Sequence, residues 1–525
     1  MRELETPSAE IAEGEDIATL VALHAEEGAL RPAVIDGDRR VDWGEHGARI
    51  HRVANALIGL GIRKGDRVAA LGRNSTEYQE TFLGTLVAGG CAVPLPTMAL
   101  PEALKLMLED CGAKVLIVSA AYREAVAAFA RELPEVVDGA LIGFDFEDAP
   151  FRGYDAWADA ASSDAPGVAI DPEDDFNIIY SSGTTGVPKG ILHSHRFRAG
   201  IAKVFKAFQF SADSVNMVST PLYSNTTITT WFPTVWWGGA NVLMAKFDAR
   251  EFLRLVQKHR ATHAMLVPVQ YDRIMRLEDY DDFERSSMEF KFSTSAPLRE
   301  HLKRQVVERF EGELVEFYGL TEGGISCTLL ANRFPDKLAS VGVPSGGEIR
   351  IIDEQGNELP PGRAGEIVGR SSAMMRGYIN REKATEEMLW YDKEGNLFFK
   401  TGDIGYFDED GFLFLSDRKK DVIISGGFNV FATDLEIVLG KHEAVQEVAV
   451  IGIPSDQWGE TPLALVVLEP GAGVEAEALR TWANQRLGKG QRIARLELRR
   501  DLPKSDIGKV LKRELRTPYW SGRDK

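Results

Sequence analysis

The segment from Ser181 to Gly190 concentrates groups that bind phosphate. It holds four hydroxyl side chains, three glycines and one lysine. Glycines let backbone N–H groups converge on phosphate oxygens, hydroxyls add donors, and a lysine supplies positive charge. It is not a Walker A loop, because Pro188 and Gly190 occupy the positions of that loop's last glycine and its magnesium-binding hydroxyl. The segment therefore predicts a different kind of phosphate site, and the alternative is a flexible surface loop.

Four more polar motifs follow in order along the chain: Tyr318–Glu322, Thr401–Asp403, Asp417–Asp421 and Pro503–Lys509. Together with the phosphate segment they resemble the adenylate-forming superfamily, which includes acyl-CoA synthetases, luciferases and the adenylation domains of peptide synthetases. The resemblance covers nearly the whole chain. It implies an AMP-forming acyl-CoA synthetase, an acid–thiol ligase that uses ATP, Mg²⁺ and coenzyme A.

The same resemblance implies roles for individual residues. Lys509, Thr184 and Glu322 are the implied catalytic residues, with Lys509 bridging the substrate carboxylate and the α-phosphate and Glu322 holding Mg²⁺. The other implied contacts to nucleotide or coenzyme A are Ser181, Ser182, Gly183, Thr185, Gly186, Lys189, Ser295, Ala296, Pro297, Glu316, Phe317, Tyr318, Gly319, Thr321, Asp403, Arg418, Gly426 and Gly427. Read singly, Glu322 is also a plausible helix cap and Asp403 a turn residue.

The implied reaction has two steps. A carboxylate is a poor acyl donor because its leaving group is oxide, so the acid is first joined to AMP with release of pyrophosphate. The thiol of coenzyme A then displaces AMP. Two alternatives stay open: transfer to a carrier-protein phosphopantetheine, and a nucleotide-binding paralogue without catalysis. The second is disfavoured, because all five of these residues are present: Thr184, Glu322, Asp403, Arg418 and Lys509.

The acid pocket is predicted in the stretch from Ser214 to Ala245, which contains no charged residue. Prolines and a glycine pair interrupt it too often for a membrane helix, so a buried helix or pocket wall is expected. Pro221–Ser224 resembles a family segment in which amino-acid-activating members carry an aspartate where Ser224 stands, so an amino acid substrate is not expected. The uncharged stretch suits an apolar tail, and a fatty or aryl-alkanoic acid is therefore expected. The predicted pocket residues are Tyr223, Ser224, Asn225, Trp231 and Trp236. The alternative for the aromatic residues is ordinary core packing.

Composition narrows the function further. The chain of 525 residues has 61 Lys and Arg against 79 Asp and Glu, a net charge of −18, which argues against a general nucleic-acid binder. Its three cysteines have no metal-ligand spacing. The acidic N-terminus lacks the apolar run of a signal peptide, so a cytoplasmic protein is expected, with small molecules as partners. The sequence sets no oligomeric state, and a homodimer is compatible with it.

The elements that must position these residues alternate between amphipathic helical patterns and short apolar runs. This alternation predicts an α/β fold: a large N-terminal domain of parallel sheets covered by helices, with a small β-barrel-like subdomain. Hairpin signals appear near residue 400, and a compact α+β pattern follows. We place the domains at 1–419 and 420–525, and the resemblance implies that the second is mobile about a hinge at Lys420.

Overall fold

The computed structural model describes residues 16–181, 188–425, 428–455, 457–487, 491–505 and 508–520. The described strands, in chain order, are β1 (Pro32–Asp36), β2 (Arg39–Asp42), β3 (Arg67–Leu71), β4 (Cys91–Pro94), β5 (Ala113–Val118), β6 (Leu141–Gly143), β7 (Arg152–Gly153), β8 (Asp175–Ser181), β9 (Lys189–Ser194), β10 (Val215–Val218), β11 (Ala240–Leu243), β12 (His263–Leu266), β13 (Phe290–Ser293), β14 (Glu313–Gly319), β15 (Ser326–Leu330), β16 (Val343–Pro344), β17 (Gly347–Ile352), β18 (Gly365–Ser371), β19 (Gly377–Tyr378), β20 (Leu389–Tyr391), β21 (Leu397–Phe407), β22 (Leu413–Arg418), β23 (Ile423–Ser425), β24 (Phe428–Val430), β25 (Val445–Ser455), β26 (Gly459–Leu468) and β27 (Arg495–Arg499).

The described α-helices are α1 (Ile17–Glu27), α2 (Trp43–Gly59), α3 (Thr76–Val87), α4 (Pro101–Cys111), α5 (Arg123–Ala127), α6 (Tyr154–Asp159), α7 (His195–Val204), α8 (Asn225–Trp236), α9 (Ala249–His259), α10 (Pro268–Met275), α11 (Glu300–Arg309), α12 (Glu382–Glu387), α13 (Ala432–Leu439), α14 (Ala476–Asn484) and α15 (Lys512–Trp520). Short 3₁₀ turns lie at Ala120–Tyr122, Ala130–Glu132, Phe205–Phe208, Tyr280–Asp282, Pro335–Lys337 and Lys419–Asp421.

The chain divides into two compact units, one of Met1–Leu338 with Arg370–Leu389 and one of Ala339–Gly369 with Trp390–Lys525. The first unit contains two large sheets. One has the strand order β15-β14-β13-β12-β10-β11-β1-β2, and the other has the order β19-β9-β8-β4-β3-β5-β6-β7. The pairings from β14 to β1 and from β8 to β7 are parallel, which is the arrangement that the alternating sequence pattern predicts.

The second unit contains two smaller sheets. One has the order β17-β18-β21-β20, with β22 pairing β21, and it forms the half-barrel sheet. The other has the order β24-β23-β26-β25, with β27 pairing β26, and α13 and α14 pack on its apolar face. The predicted α/β fold class, with a large domain of parallel sheets and a small α+β C-terminal domain, is confirmed. The boundary at Lys420 stays a prediction.

Helix α8 occupies the middle of the uncharged stretch. Ser224 caps it by accepting from the N–H of Thr226 at 3.3 Å, and ten of its side chains are buried. Trp231 and Trp236 lie in the same apolar core as α2 and α3. Among the described residues, no helix is both long enough and apolar enough to span a membrane. The buried helix expected in this stretch is therefore present.

Candidate active site

The phosphate segment is framed by strands in the first unit. β8 ends at Ser181, and β9 begins at Lys189 and runs antiparallel to it. The predicted contacts Ser182, Gly183, Thr184, Thr185 and Gly186 lie outside the described residues, as do Gly426 and Gly427. The phosphate segment thus starts at the end of a strand, β8, whose residues 177–180 include a short apolar run.

Glu322, the predicted magnesium ligand, is held by a residue that sequence reasoning missed. The hydroxyl of Tyr378 donates to its Oε1 at 2.6 Å, and burial of the phenol raises the pKa of Tyr378. The Nζ of Lys189 lies 4.9 Å from the centre of the same ring. Tyr378 therefore connects two predicted ATP contacts, and it reaches them from 56 residues away in sequence. No local motif marks it.

Replacing Tyr378 by phenylalanine is expected to lower the rate of adenylation about 10- to 100-fold, since a hydrogen bond to a charged group contributes roughly 1.5–3 kcal/mol. The ring and its contact with Lys189 remain, so the loss falls on the orientation of Glu322. We expect the Mg²⁺ concentration for half-maximal pyrophosphate release to rise. The exposed Tyr391 offers a matched control as Tyr391→Phe. Equal effects in both variants would contradict this role for Tyr378.

Thr321 is tied to a buried polar network that the sequence did not reveal. Its carbonyl oxygen lies 2.7 Å from Nε2 of His193, and Nδ1 of His193 lies 2.9 Å from Nη2 of Arg198. A guanidinium only donates, so Nδ1 accepts and Nε2 carries the proton that it donates to Thr321. Burial, then the charge of Arg198, hold the pKa of His193 well below its usual range. The imidazole is therefore a neutral link.

Ser295 adopts a backbone conformation that favours glycine. Its φ is 77°, and its hydroxyl contacts that of Thr226 on α8. A non-glycine residue in this region is strained, so its side-chain contact compensates part of that cost. Ala296 is half-buried and Pro297 is exposed. Ser295 therefore brings the predicted adenine-side segment into contact with the first turn of α8.

The remaining predicted contacts of the first unit lie on β14. Glu316 is buried, pairs with Lys303 and accepts from the N–H of Leu298 at 3.2 Å. Phe317 packs against Phe292, with ring centres 5.6 Å apart. Tyr318 is buried, and a Cβ at Gly319 would lie 2.9 Å from the carbonyl oxygen of Ile325. These contacts fix the strand that leads to Thr321 and Glu322, and direct contact of Glu316, Phe317, Tyr318 or Gly319 with nucleotide stays a prediction.

The aromatic pocket candidates are embedded in protein. Trp231 is 0% exposed and donates from Nε1 to Gln79 at 2.8 Å, and Trp236 is 3% exposed. Tyr223, Ser224 and Asn225 are half-buried at the start of α8. The accessible part of this helix is thus its polar first turn, whereas its indoles lie in the core. A role for either indole in binding the acid stays a prediction.

Asp403 and Arg418 form an ion pair in the second unit. They are opposite each other on β21 and β22, and Asp403 Oδ1 lies 2.6 Å from Nε of Arg418. Asp403 is 5% exposed, and its N–H donates to Thr401 Oγ1 at 3.0 Å. Gly402 has a φ of 68°, so the register shift of β21 against β18 at this point uses the conformational freedom of glycine. The sequence analysis predicts both residues as nucleotide contacts from two separate motifs, and the hairpin of β21 and β22 places them side by side.

Asp417 lies beside the predicted hinge and caps α13. Its Oδ2 accepts from the N–H of Ala432 at 2.5 Å, and its Oδ1 accepts from the N–H of Arg418 at 2.7 Å. Burial raises its pKa to about 6, opposed by the charge of Lys512, with Glu436 and Asp421 adding repulsion. Lys512 pairs with Glu436 at 2.7 Å. This network joins the end of β22 to α13 and α15.

The raised pKa of Asp417 predicts a pH-dependent stability. Because folding favours the protonated form, its stabilising contribution is full below about pH 4 and is lost as pH rises through about 6. In the Asp417→Asn variant we expect a smaller fall in the free energy of unfolding between pH 5 and pH 7, by about 1 kcal/mol. Urea titrations at both pH values measure this, with the exposed Asp138→Asn as the control. Parallel pH profiles of wild type and Asp417→Asn would refute it.

Lys509 is exposed at the end of a tight turn in the second unit. The N–H of Ser505 donates to its carbonyl oxygen at 2.9 Å, and its own N–H donates to the hydroxyl of Ser505 at 3.2 Å. A bridge between Lys504 and Val510 closes the turn. Lys420 lies in the 3₁₀ turn Lys419–Asp421. The catalytic role of Lys509 and the hinge role of Lys420 stay predictions.

Comparisons with known proteins agree with this arrangement. A family model described as "AMP-binding enzyme" matches residues 21–379, and one described as "AMP-binding enzyme C-terminal domain" matches residues 434–509. A feruloyl-CoA synthase of Amycolatopsis sp is 33% identical over 93% of this chain and 96% of its own. The long-chain-fatty-acid–CoA ligase FadD13 of Mycobacterium tuberculosis is 31% identical over 92% of this chain and 94% of its own. The crystal structure of ATP-bound MatB from Rhodopseudomonas palustris has a TM-score of 0.84 and 29% identity, covering 96% and 99% of the two chains.

Proposed function

This chain belongs to the AMP-binding enzyme family as an AMP-forming acid–CoA ligase, and we propose that it activates a fatty or aryl-alkanoic acid with Mg·ATP. The observation that carries the proposal is the contact of Tyr378 with both Glu322 and Lys189, the lysine near the end of the phosphate segment. The relatives named for feruloyl and long-chain acids support the two acid types. A carrier-protein acceptor is the alternative for the second step.

The residues fit a magnesium ion at Glu322. Tyr378 uses one carboxylate oxygen, and no hydrogen bond from the described residues occupies the other. A hard carboxylate oxygen is a ligand that Mg²⁺ prefers, and the bound ion would neutralise phosphate charge. Tyr378 holds the carboxylate in one orientation for that task. The described part of the chain offers no cluster of three or more His, Cys, Asp or Glu for a second kind of metal centre.

The chain's own residues then position and stabilise charge. Thr321 donates a hydrogen bond to the α-phosphate. Asp403 accepts hydrogen bonds from the ribose hydroxyls, and its ion pair with Arg418 holds the carboxylate in place. Lys509 neutralises the charge shared by the substrate carboxylate and the α-phosphate as the acyl–phosphate bond forms. No protein nucleophile is needed, because the carboxylate attacks phosphorus directly and pyrophosphate leaves.

The test is pyrophosphate release with a panel of acids, from short and long fatty acids to cinnamate-like acids, with and without free coenzyme A. We expect release with at least one acid, dependence on Mg²⁺, and formation of the thioester and AMP when coenzyme A is present. Adenylate that accumulates with free coenzyme A present would favour the carrier-protein acceptor. Absence of pyrophosphate release with every acid would contradict the proposal.

Three buried cysteines that form no disulfide support a reducing, cytoplasmic location.

A further inference from the structure

Arg198 is a buried cation whose acceptors in the described residues are all neutral. It is 1% exposed, and its guanidinium donates to Asn177 Oδ1 at 2.9 Å, to Asn225 Oδ1 at 2.7 Å and to His193 Nδ1 at 2.9 Å. Burial alone lowers its pKa, to about 9, and no described carboxylate opposes that shift. Contact with the rings of Phe176 and Phe197 stabilises part of the charge. A buried charge ordinarily has an ionic partner.

Arg198 determines which way the amide of Asn225 faces. Since a guanidinium has donors only, the oxygen of the amide must point to it and the nitrogen must point away. Asn225 is half-buried, and its Nδ2 makes no hydrogen bond to the described residues. It is also the first residue of α8, where unpaired backbone N–H groups add positive potential. An N–H₂ donor is therefore presented in an electropositive setting on the accessible turn of this helix.

This donor adjoins two segments that the proposed function assigns to the nucleotide. The next residue along α8, Thr226, contacts Ser295 through its hydroxyl. On the other side, Arg198 reaches the carbonyl of Thr321 through the single imidazole of His193. The Nδ2 of Asn225 therefore lies on the turn of α8 that adjoins the predicted nucleotide contacts, and an acid whose reacting carboxylate meets the α-phosphate would pass this turn.

We propose that the acid substrate carries a second carboxylate, which Asn225 Nδ2 binds while Arg198 positions the amide and supplies the opposite charge. This inference rests on the proposed function and narrows its acid class to fatty or aryl-alkanoic diacids. A hydrocarbon end would give the amide donor no acceptor and would leave Arg198 with neutral acceptors only. An anionic end provides an acceptor for the amide and an opposite charge for the guanidinium. The site would therefore favour diacids over monocarboxylic acids.

The experiment compares matched acids at constant Mg·ATP. Aliphatic diacids of three to eight carbons are each measured beside their monomethyl ester and the monocarboxylic acid of equal chain length, and terephthalic acid is measured beside its monomethyl ester and p-toluic acid. For at least one chain length, we expect kcat/KM for pyrophosphate release to be about 10- to 100-fold higher with the diacid. In Asn225→Leu that ratio is expected to fall to about one or below, with the KM for ATP unchanged.

Further variants separate positioning from folding. Arg198→Lys keeps the charge but not the fork of donors, so it is expected to retain part of the diacid preference, whereas Arg198→Met loses it. If Arg198→Met fails to fold, the half-buried Asn225→Leu still decides the question. Asn55, whose amide donates to Ser162 and Asp164 carbonyls at 2.8 Å, provides the control Asn55→Leu, which should keep the wild-type ratio.

The outcomes distinguish this inference from the proposed function. Pyrophosphate release with monocarboxylic acids and no preference for diacids at any chain length would overturn the inference and leave the proposed function standing. A diacid preference that persists unchanged in Asn225→Leu would also overturn it. Failure of every mono- and dicarboxylic acid to release pyrophosphate would overturn both.

Discussion

Replacing Lys509 by alanine is expected to slow adenylation roughly 10²–10³-fold while leaving thioester formation from a supplied acyl-adenylate close to wild type. Removing one preorganised donor that stabilises charge in a transition state typically costs about 3–4 kcal/mol. The charge on Lys509 is needed only where the carboxylate meets the α-phosphate, and that junction no longer exists once the adenylate is formed. The Lys509→Ala substitution should therefore slow the first half-reaction and leave the second close to wild type.

Stability is not expected to contribute to this loss. Lys509 is exposed, and its two described hydrogen bonds to Ser505 use its backbone carbonyl and N–H groups, so both remain in the alanine variant. Pyrophosphate release measures the first half-reaction, and AMP release from synthetic acyl-adenylate plus coenzyme A measures the second. The exposed Lys441 of the same unit gives the control Lys441→Ala. Comparable losses in both half-reactions of Lys509→Ala would remove Lys509 from the adenylation step.

Much of the fold could be predicted because its signals are local. The short apolar run Arg67–Leu71 forms β3, and the amphipathic pattern of Glu77–Ala88 nearly coincides with α3 at Thr76–Val87. Apolar periodicity and short apolar runs are properties of neighbouring residues, so they survive without knowledge of the packing. The order of the strands depends on pairings that are distant in sequence, and local patterns do not specify them.

In the candidate site, too, residues that stand in local motifs could be predicted, whereas residues defined by distant contacts could not. Asp403 and Arg418 were found because each stands in a motif, and the hairpin of β21 and β22 then pairs them. Tyr378 and Arg198 have no motif, and their partners Glu322 and Asn225 are 56 and 27 residues away. The uncharged stretch suggested an apolar pocket, yet its indoles lie in the core and its accessible turn is polar. Burial of the helix accounts for the lack of charge there, and a role of this stretch in binding the acid stays a prediction.

Replacing Lys420 by proline is expected to preserve pyrophosphate release and abolish capture by coenzyme A. A hinge residue must adopt two backbone conformations, one for each half-reaction. Proline fixes φ near −65° and disfavours the helical conformation of the residue before it. That residue, Lys419, lies in the 3₁₀ turn Lys419–Asp421, so the substitution acts on the backbone of the turn itself. One of the two domain orientations should become inaccessible.

The expected asymmetry follows from the order of the reaction. The adenylation orientation is the one that brings Lys509 to the phosphates, and the second half-reaction requires departure from it, so a chain locked in the first orientation forms adenylate and stops. We expect acyl-adenylate to accumulate in Lys420→Pro, detected as pyrophosphate release of about one equivalent per enzyme without thioester. Lys420→Ala should turn over normally, because the argument concerns backbone freedom and not the ammonium group. Normal overall turnover in Lys420→Pro would show that the boundary at Lys420, or the rotation itself, is misplaced.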